Sequence, residues 1–108
     1  MKFLLTGSSG FIGSRLLNAI NDNVVLLSRH KNSSYPTMIC DFEKDEIPSF
    51  AFKSVDVVIH LAGLSHDFGD ASKIEDLYRK INIDATVKLA TLASQNNVKR
   101  FVFISSVK

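Results

Sequence analysis

Five short apolar runs constrain the fold of this chain more than any other feature of its sequence. They are rich in Val, Ile, Leu and Phe, and they do not alternate strictly between apolar and polar residues. Strands that are buried on both faces, as in a parallel sheet, have this composition. The runs are Lys2–Leu5, Val24–Leu27, Thr37–Cys40, Val55–His60 and Arg100–Ile104. We therefore predict an α/β fold built on a parallel sheet.

Two of the segments between these runs carry apolar residues at helical spacing. The first follows the opening strand and completes a βαβ unit, and the second is a long segment that ends near Asn96 and Asn97. Their apolar residues are Ile12, Leu16, Leu17 and Ile20 in the first, and Ile74, Leu77, Tyr78, Ile81, Ala85, Leu89 and Leu92 in the second. We predict a Rossmann-type, doubly wound parallel sheet in the strand order 3-2-1-4-5, with right-handed crossovers and the first strand at its centre.

A glycine-rich loop, TGSSGFIG at residues 6–13, follows the first strand directly and opens the first helix. Gly7 allows a tight turn, Gly10 lets the backbone approach a pyrophosphate, and Gly13 lets the helix and strand pack closely. The free N–H groups at the start of the helix would then face the anion. The loop therefore predicts a dinucleotide ligand. The alternative is a strand-to-helix turn that uses glycine for geometry alone.

The end of the second strand bears on which dinucleotide is bound. A loop selective for NAD expects an acidic residue about 20 positions further on, which holds the ribose 2′-hydroxyl. This strand instead ends in Leu27, Ser28 and Arg29, with Lys31 close behind. Arg29 leaves positive charge where a 2′-phosphate would sit, which favours NADP over NAD. The alternative is that Arg29 is a solvated loop cation, so both cofactors remain open.

Composition and charge argue against several other classes of protein. The 108 residues fit one domain, and the net charge of +2 is spread along the chain, which does not indicate nucleic-acid binding. The single cysteine, Cys40, has no second thiol or spaced histidines near it, so we expect a cytoplasmic, metal-free protein. No apolar run approaches the ~20 residues that a membrane span needs.

Taken together, these segments resemble an extended short-chain dehydrogenase/reductase, and more narrowly the NAD(P)-dependent nucleotide-sugar epimerase/dehydratase family. The resemblance covers nearly the whole chain. The matching segments are TGSSGFIG at 6–13, Asp41-Phe42 after the third strand, VIHLAG at 58–63, Asn82 with Thr86 in the long helix, and FVFISS at 101–106.

The resemblance implies a role for each matching residue around the cofactor. The loop residues that would hold the pyrophosphate are Gly7, Ser9, Gly10, Phe11, Ile12 and Gly13. Asp41 and Phe42 would contact the adenine end, and Leu61, Ala62 and Gly63 would line the ribose and nicotinamide side. The residues alone leave alternatives open, because Asp41 is equally a loop-starting residue and the 61–63 segment is equally an apolar strand end.

Three polar residues carry further expectations. Asn82 lowers helix propensity in the middle of a helical segment, and the resemblance places it beside the cofactor and the proton-relay region; a surface asparagine is the alternative. By the resemblance, Ser106 is the catalytic serine that hydrogen-bonds the substrate. His60 is expected to be a hydrogen-bonded core histidine, not a site residue.

The catalytic pair of the resembled family, Tyr-x-x-x-Lys, does not occur in these residues. Tyr35 is followed four places on by Ile39, and Tyr78 by Asn82. We therefore expect residues 1–108 to be an incomplete dinucleotide-binding domain of a longer enzyme, without its substrate domain and inactive alone. The apolar last strand would be uncovered on one side and would promote self-association.

The function implied by the resemblance is the NAD(P)-binding portion of an epimerase or dehydratase that acts on a nucleotide sugar. Such enzymes transfer a hydride to the cofactor and return it. One alternative is a non-catalytic NAD(P)-binding module of the atypical branch of the same superfamily. Another is a flavodoxin-like or receiver-like domain, for which Asp41 and Asp56 do not form a convincing acidic cluster.

Overall fold

The computed structural model describes residues 1–8, 10–62 and 72–105 of the chain. Its elements in chain order are β1 (Lys2–Thr6), α1 (Phe11–Ala19), β2 (Asn23–Ser28), β3 (Thr37–Ile39), β4 (Val57–Ala62), α2 (Ser72–Gln95) and β5 (Arg100–Ser105). The strands form one five-stranded sheet in the order β3-β2-β1-β4-β5. Every neighbouring pair is parallel. The predicted parallel sheet, its strand order and its central first strand are confirmed.

A separate apolar cluster covers each face of the sheet. Because successive side chains of a strand point to opposite faces, the neighbours Leu4 and Leu5 enter different clusters. Leu5 packs in the cluster that contains Leu17 of α1. Leu4 packs in the cluster that contains Leu89 of α2 and Phe52, which lies in a 3₁₀ turn between β3 and β4. The sheet is therefore buried between two layers, as its apolar strands predict.

The bounds of all five strands differ by one or two residues from the sequence-based expectation, and one helix residue is exposed instead of buried. β4 begins at Val57, because the N–H of Val55 donates to the carbonyl of Phe52 and holds Val55 in a turn instead of the sheet. Ile12, expected on the apolar face of the first helix, is 51% exposed because it lies in the first turn of α1, beyond the edge of the sheet. Leu17, further along the helix, is buried as expected.

Asp56 joins the amino-terminal ends of three strands. Its carboxylate accepts the N–H of Lys2 at 2.9 Å, and its carbonyl accepts the N–H of Lys99 at 2.9 Å. The hydrogen bond from Lys2 and then the nearby Lys99 ammonium lower the pKa of this carboxyl. Asp56 thereby holds the starts of β1, β4 and β5 in register. Because the strands are parallel, their carboxyl ends at the opposite edge of the sheet are aligned as well.

The edge strand β5 leaves apolar surface open. Val102 is 38% exposed and Phe103 is 47% exposed within the described part of the chain. Since adjacent residues of a strand point to opposite faces, each face of β5 carries an exposed apolar side chain among the described residues. Among the helices that the structure describes, none combines the length and apolar character that crossing a membrane requires.

The packing of α2 generates a stability prediction. Leu89 is fully buried, whereas Val87 on the same helix is 59% exposed. Leu89→Ala should lower the free energy of unfolding by about 2–5 kcal/mol, because it leaves a cavity in the core. The matched change Val87→Ala should alter it by less than about 0.5 kcal/mol. Urea unfolding followed by circular dichroism measures both, and equal losses would contradict this packing.

Candidate functional site

The carboxyl-terminal edge of the sheet gathers the residues that the sequence singles out. Because all strands are parallel, their carboxyl ends meet at one edge, which is where open α/β sheets bind ligands. Gly7 follows β1, Arg29 follows β2, and Asp41 lies just beyond β3. Leu61 and Ala62 end β4. The predicted site residues in these elements therefore share one edge of the molecule.

The three glycines of the loop differ in what surrounds them. Gly7 has a φ of +76°, and a Cβ there would lie 2.6 Å from the carbonyl oxygen of Leu61. A Cβ on Gly13 would collide with the carbonyl oxygen of Gly7 and lie 2.8 Å from the Cα of Ser8. Among the described residues, a Cβ on Gly10 would meet only the Gly7 carbonyl, at an ordinary 3.6 Å. Gly7 and Gly13 are thus required by packing, and Gly10 is not.

The start of α1 is chemically suited to an anion. Gly10 is its N-cap residue, no described side chain caps it, and the first turn holds no acidic residue. The N–H groups of Phe11, Ile12 and Gly13 have no carbonyl acceptor within the helix. The side chains of Phe11 and Ile12 are exposed, and the guanidinium of Arg15 lies 4.4 Å from the centre of the Phe11 ring. Free donors and a cation therefore stand together, which favours negative charge.

The end of β2 presents basic side chains to solvent. Arg29 and Lys31 are both exposed. The hydroxyl oxygen of Ser28 accepts the N–H of His30 at 3.3 Å, which holds the turn that carries them. This geometry is compatible with a 2′-phosphate site and with solvated loop cations, so the two alternatives remain.

Asp41 and Phe42 lie beyond β3 and play different structural parts. One carboxylate oxygen of Asp41 accepts the N–H of Glu43, and the Asp41 N–H donates to Asp45, each at 2.9 Å. Asp41 therefore organises its own turn, as its loop-starting interpretation requires. Phe42 is half-buried, and its ring meets the ring of His60 edge-on at 6.0 Å. The side chain of Phe42 thus faces β4 more than solvent.

A chain of hydrogen bonds links β1, β4 and α2. Nδ1 of His60 lies 2.5 Å from Oγ1 of Thr6, and Nε2 lies 2.9 Å from Oγ1 of Thr86. The Thr86 hydroxyl donates to the carbonyl of Asn82 at 2.7 Å, so it can only accept from His60 Nε2–H. The Thr6 oxygen accepts the N–H of Leu61 at 3.3 Å. His60 therefore carries a proton on Nε2, and as a neutral imidazole it accepts the Thr6 hydroxyl at Nδ1.

The surroundings of His60 keep it neutral. The residue is 2% exposed, and the ring of Phe103 stacks on it at 5.5 Å. Burial lowers the pKa of His60 from 6.5 to about 4. The prediction of a hydrogen-bonded core histidine is confirmed. The sequence analysis missed the link through Thr6 and Thr86, because only the fold brings a helix residue within reach of this strand.

Asn82 carries a polar group without a partner. Its residue is half-buried, and its Nδ2 is buried with no hydrogen-bond partner among the described residues. A buried amide donor of this kind calls for an acceptor. The surface alternative for Asn82 is wrong, since the amide nitrogen is not solvated. Three expected site residues, Ser9, Gly63 and Ser106, lie outside the described residues.

The chain is similar to known proteins along almost its whole length. A family model, the NAD dependent epimerase/dehydratase family, matches residues 3–108. UDP-glucose 4-epimerase of Vibrio cholerae is 35% identical over 115 aligned residues, covering 99% of this chain and 35% of that protein. N-acetyl-alpha-D-glucosaminyl-diphospho-ditrans,octacis-undecaprenol 4-epimerase of Escherichia coli O157:H7 is 36% identical over 108, covering 96% and 32%.

A solved structure is also similar to this chain along almost its whole length. The structure of MoeE5 in complex with UDP-glucose and NAD superposes with a TM-score of 0.80 and 28% sequence identity. It is matched over 98% of this chain and 36% of that one. The chain thus spans about a third of the length of the relatives and of this structure.

The buried imidazole generates a pH prediction. Its pKa is 6.5 in the unfolded chain and about 4 in the fold, so only the unfolded state takes up a proton as the pH falls between these values. Stability should therefore be lost on going from pH 6.5 to 4, by about 3 kcal/mol at most from this group. Urea unfolding of the wild-type chain and His60→Gln at several pH values isolates this contribution.

The pH dependence of stability has a matched control at a second histidine. His30 is exposed, so His30→Gln should keep the wild-type dependence of stability on pH. The stability difference between wild type and His60→Gln should shrink as the pH falls. Parallel pH profiles for these two proteins would show that His60 carries no depressed pKa.

Proposed function

Because this chain belongs to the NAD-dependent epimerase/dehydratase family, we propose that it binds a nicotinamide dinucleotide at the carboxyl edge of its sheet. The observation that carries the proposal is the space at Gly10. The neighbouring glycines are required by backbone contacts, but among the described residues a Cβ on Gly10 would meet only the Gly7 carbonyl, at an ordinary 3.6 Å, and no described side chain caps this helix start. A glycine that the fold does not need is explained by a ligand that approaches the backbone closely.

The residues present fit such a cofactor. The pyrophosphate would accept hydrogen bonds from the N–H groups at the start of α1. The Nδ2 of Asn82, which has no partner among the described residues, would donate to the ligand. The residues proposed to hold the cofactor are Gly7, Ser9, Gly10, Phe11, Ile12, Gly13, Arg29, Asp41, Phe42, Leu61, Ala62, Gly63 and Asn82. When bound, a nicotinamide ring can accept a hydride and return it.

For the whole protein, the proposal is an epimerase or dehydratase that acts on a nucleotide sugar by hydride transfer to and from the cofactor. The support is the similarity to UDP-glucose 4-epimerase and to a structure that contains UDP-glucose and NAD. Ser106 would hydrogen-bond the sugar. The described residues at the carboxyl edge of the sheet would orient the cofactor. Turnover is proposed for the full-length enzyme and not for residues 1–108.

Location and assembly complete the proposal. A free, buried Cys40 fits the reducing cytoplasm, since secreted domains generally pair their cysteines. The exposed Val102 and Phe103 at the sheet edge would support self-association of this chain at high concentration.

Calorimetric titration with NADH tests the dinucleotide site. The wild-type chain should bind, and Gly10→Ala should weaken binding at least about tenfold because its methyl group occupies the space of the pyrophosphate. The same change should cost at most about 1 kcal/mol of stability, since a Cβ fits there without a clash.

Gly13→Ala is the matched control for this test. Its Cβ would overlap the backbone of Gly7, so the variant should unfold at much lower urea concentration than Gly10→Ala. Wild-type affinity in a folded Gly10→Ala variant would refute the site. An absence of NADH and NADPH binding to the folded wild-type chain would refute the proposed function.

Cofactor choice has its own test at Arg29. If this exposed guanidinium pairs with a 2′-phosphate, Arg29→Ala should weaken NADPH binding about tenfold and leave NADH binding within about twofold. Lys88→Ala, an exposed cation on α2, is the control and should change neither affinity. Equal NADPH affinity in wild type and Arg29→Ala would identify Arg29 as a solvated loop cation.

A further inference from the structure

His60 lies where the glycine loop, the end of β4 and α2 come together. Thr6 immediately precedes Gly7, and its hydroxyl is bonded to both His60 and the N–H of Leu61. On the other side, Nε2 of His60 reaches Thr86, whose hydroxyl holds the carbonyl of Asn82. For a neutral imidazole, each hydrogen bond in the chain has one donor and one acceptor only in the Nε2–H tautomer.

We propose that His60 is a positioning residue, which sets the distance between the glycine loop and Asn82 by joining Thr6 to Thr86. The inference rests on the proposed dinucleotide site, because Asn82 is the group whose position it controls. A rigid imidazole bonded at both nitrogens spans from the central strand to the helix, and no apolar side chain could replace both bonds. If either of these hydrogen bonds were lost, a buried donor or acceptor would be left without a partner, which is energetically costly.

The surroundings of the ring favour a positioning role over proton transfer. Phe103 stacks on one face of His60, and the ring of Phe42 meets it edge-on. Both nitrogens are already engaged by threonine hydroxyls, so no lone pair or proton is left free for a ligand. His60 would therefore act through Asn82, without touching the cofactor.

Thr86→Val tests the proposal, because valine keeps the shape of threonine but cannot accept from Nε2–H. The chain should lose NADH affinity about tenfold, which corresponds to about 1.4 kcal/mol. Histidine ¹⁵N NMR should show the Nε2–H tautomer in wild type and a shift toward Nδ1–H in Thr86→Val, since Nδ1–H can donate to the Thr6 oxygen. Thr86→Ser keeps the hydroxyl and should restore both the affinity and the tautomer.

Thr91 supplies a matched control in the same helix. Its hydroxyl donates to the carbonyl of Val87 at 2.8 Å, the same bond that Thr86 makes to Asn82, but it is exposed. Thr91→Val should leave NADH affinity within about twofold of wild type. Equal losses in Thr86→Val and Thr91→Val would overturn the proposal, as would wild-type affinity and tautomer in Thr86→Val.

A second readout separates this inference from the proposed function. If the folded wild-type chain binds no dinucleotide, the proposed function fails, but the side-chain amide signal of Asn82 still reports its position. Movement of that signal in Thr86→Val, and not in Thr91→Val, would support positioning by His60. An unmoved Asn82 signal in Thr86→Val would overturn it.

Discussion

Backbone-to-backbone contact at the glycine loop is the constraint on which the rest of the structure depends. Gly7 lies against Leu61 of β4, and Gly13 of α1 lies against Gly7, with no room for a Cβ at either glycine. These contacts bring the end of the central strand, the start of the helix and the neighbouring strand together. The start of α1 consequently lies at the carboxyl edge of the sheet, where strand β1 ends.

A series of side-chain hydrogen bonds also stabilises this arrangement of strands and helix. Thr6, His60 and Thr86 are bonded in series across β1, β4 and α2, and burial makes each bond costly to break. Low polarity also keeps the imidazole uncharged, with its pKa lowered to about 4. Apolar packing alone could hold α2 on the sheet, but it would not specify the distance between Asn82 and the glycine loop.

The fold was largely predictable, and the site was predictable in part. Apolar runs without alternation predict buried parallel strands because such strands have no solvent-facing side, and the observed order confirms this. The positive φ of Gly7 follows from the turn that its position requires. The role of Asp41 in its own turn was open from sequence, because a carboxylate after a strand serves a turn or a ligand equally well.

The sequence by itself determined the layers and the place of the glycine loop, because these follow from local periodicity, and the strand order was predicted together with the family resemblance and right-handed crossovers. Only the tertiary structure decided that, among the described residues, packing does not require Gly10 and the buried amide nitrogen of Asn82 has no partner, and that His60 spans two threonines. The physical reason is that these features depend on distances between atoms of elements that are far apart in the sequence. A local sequence pattern does not encode such distances.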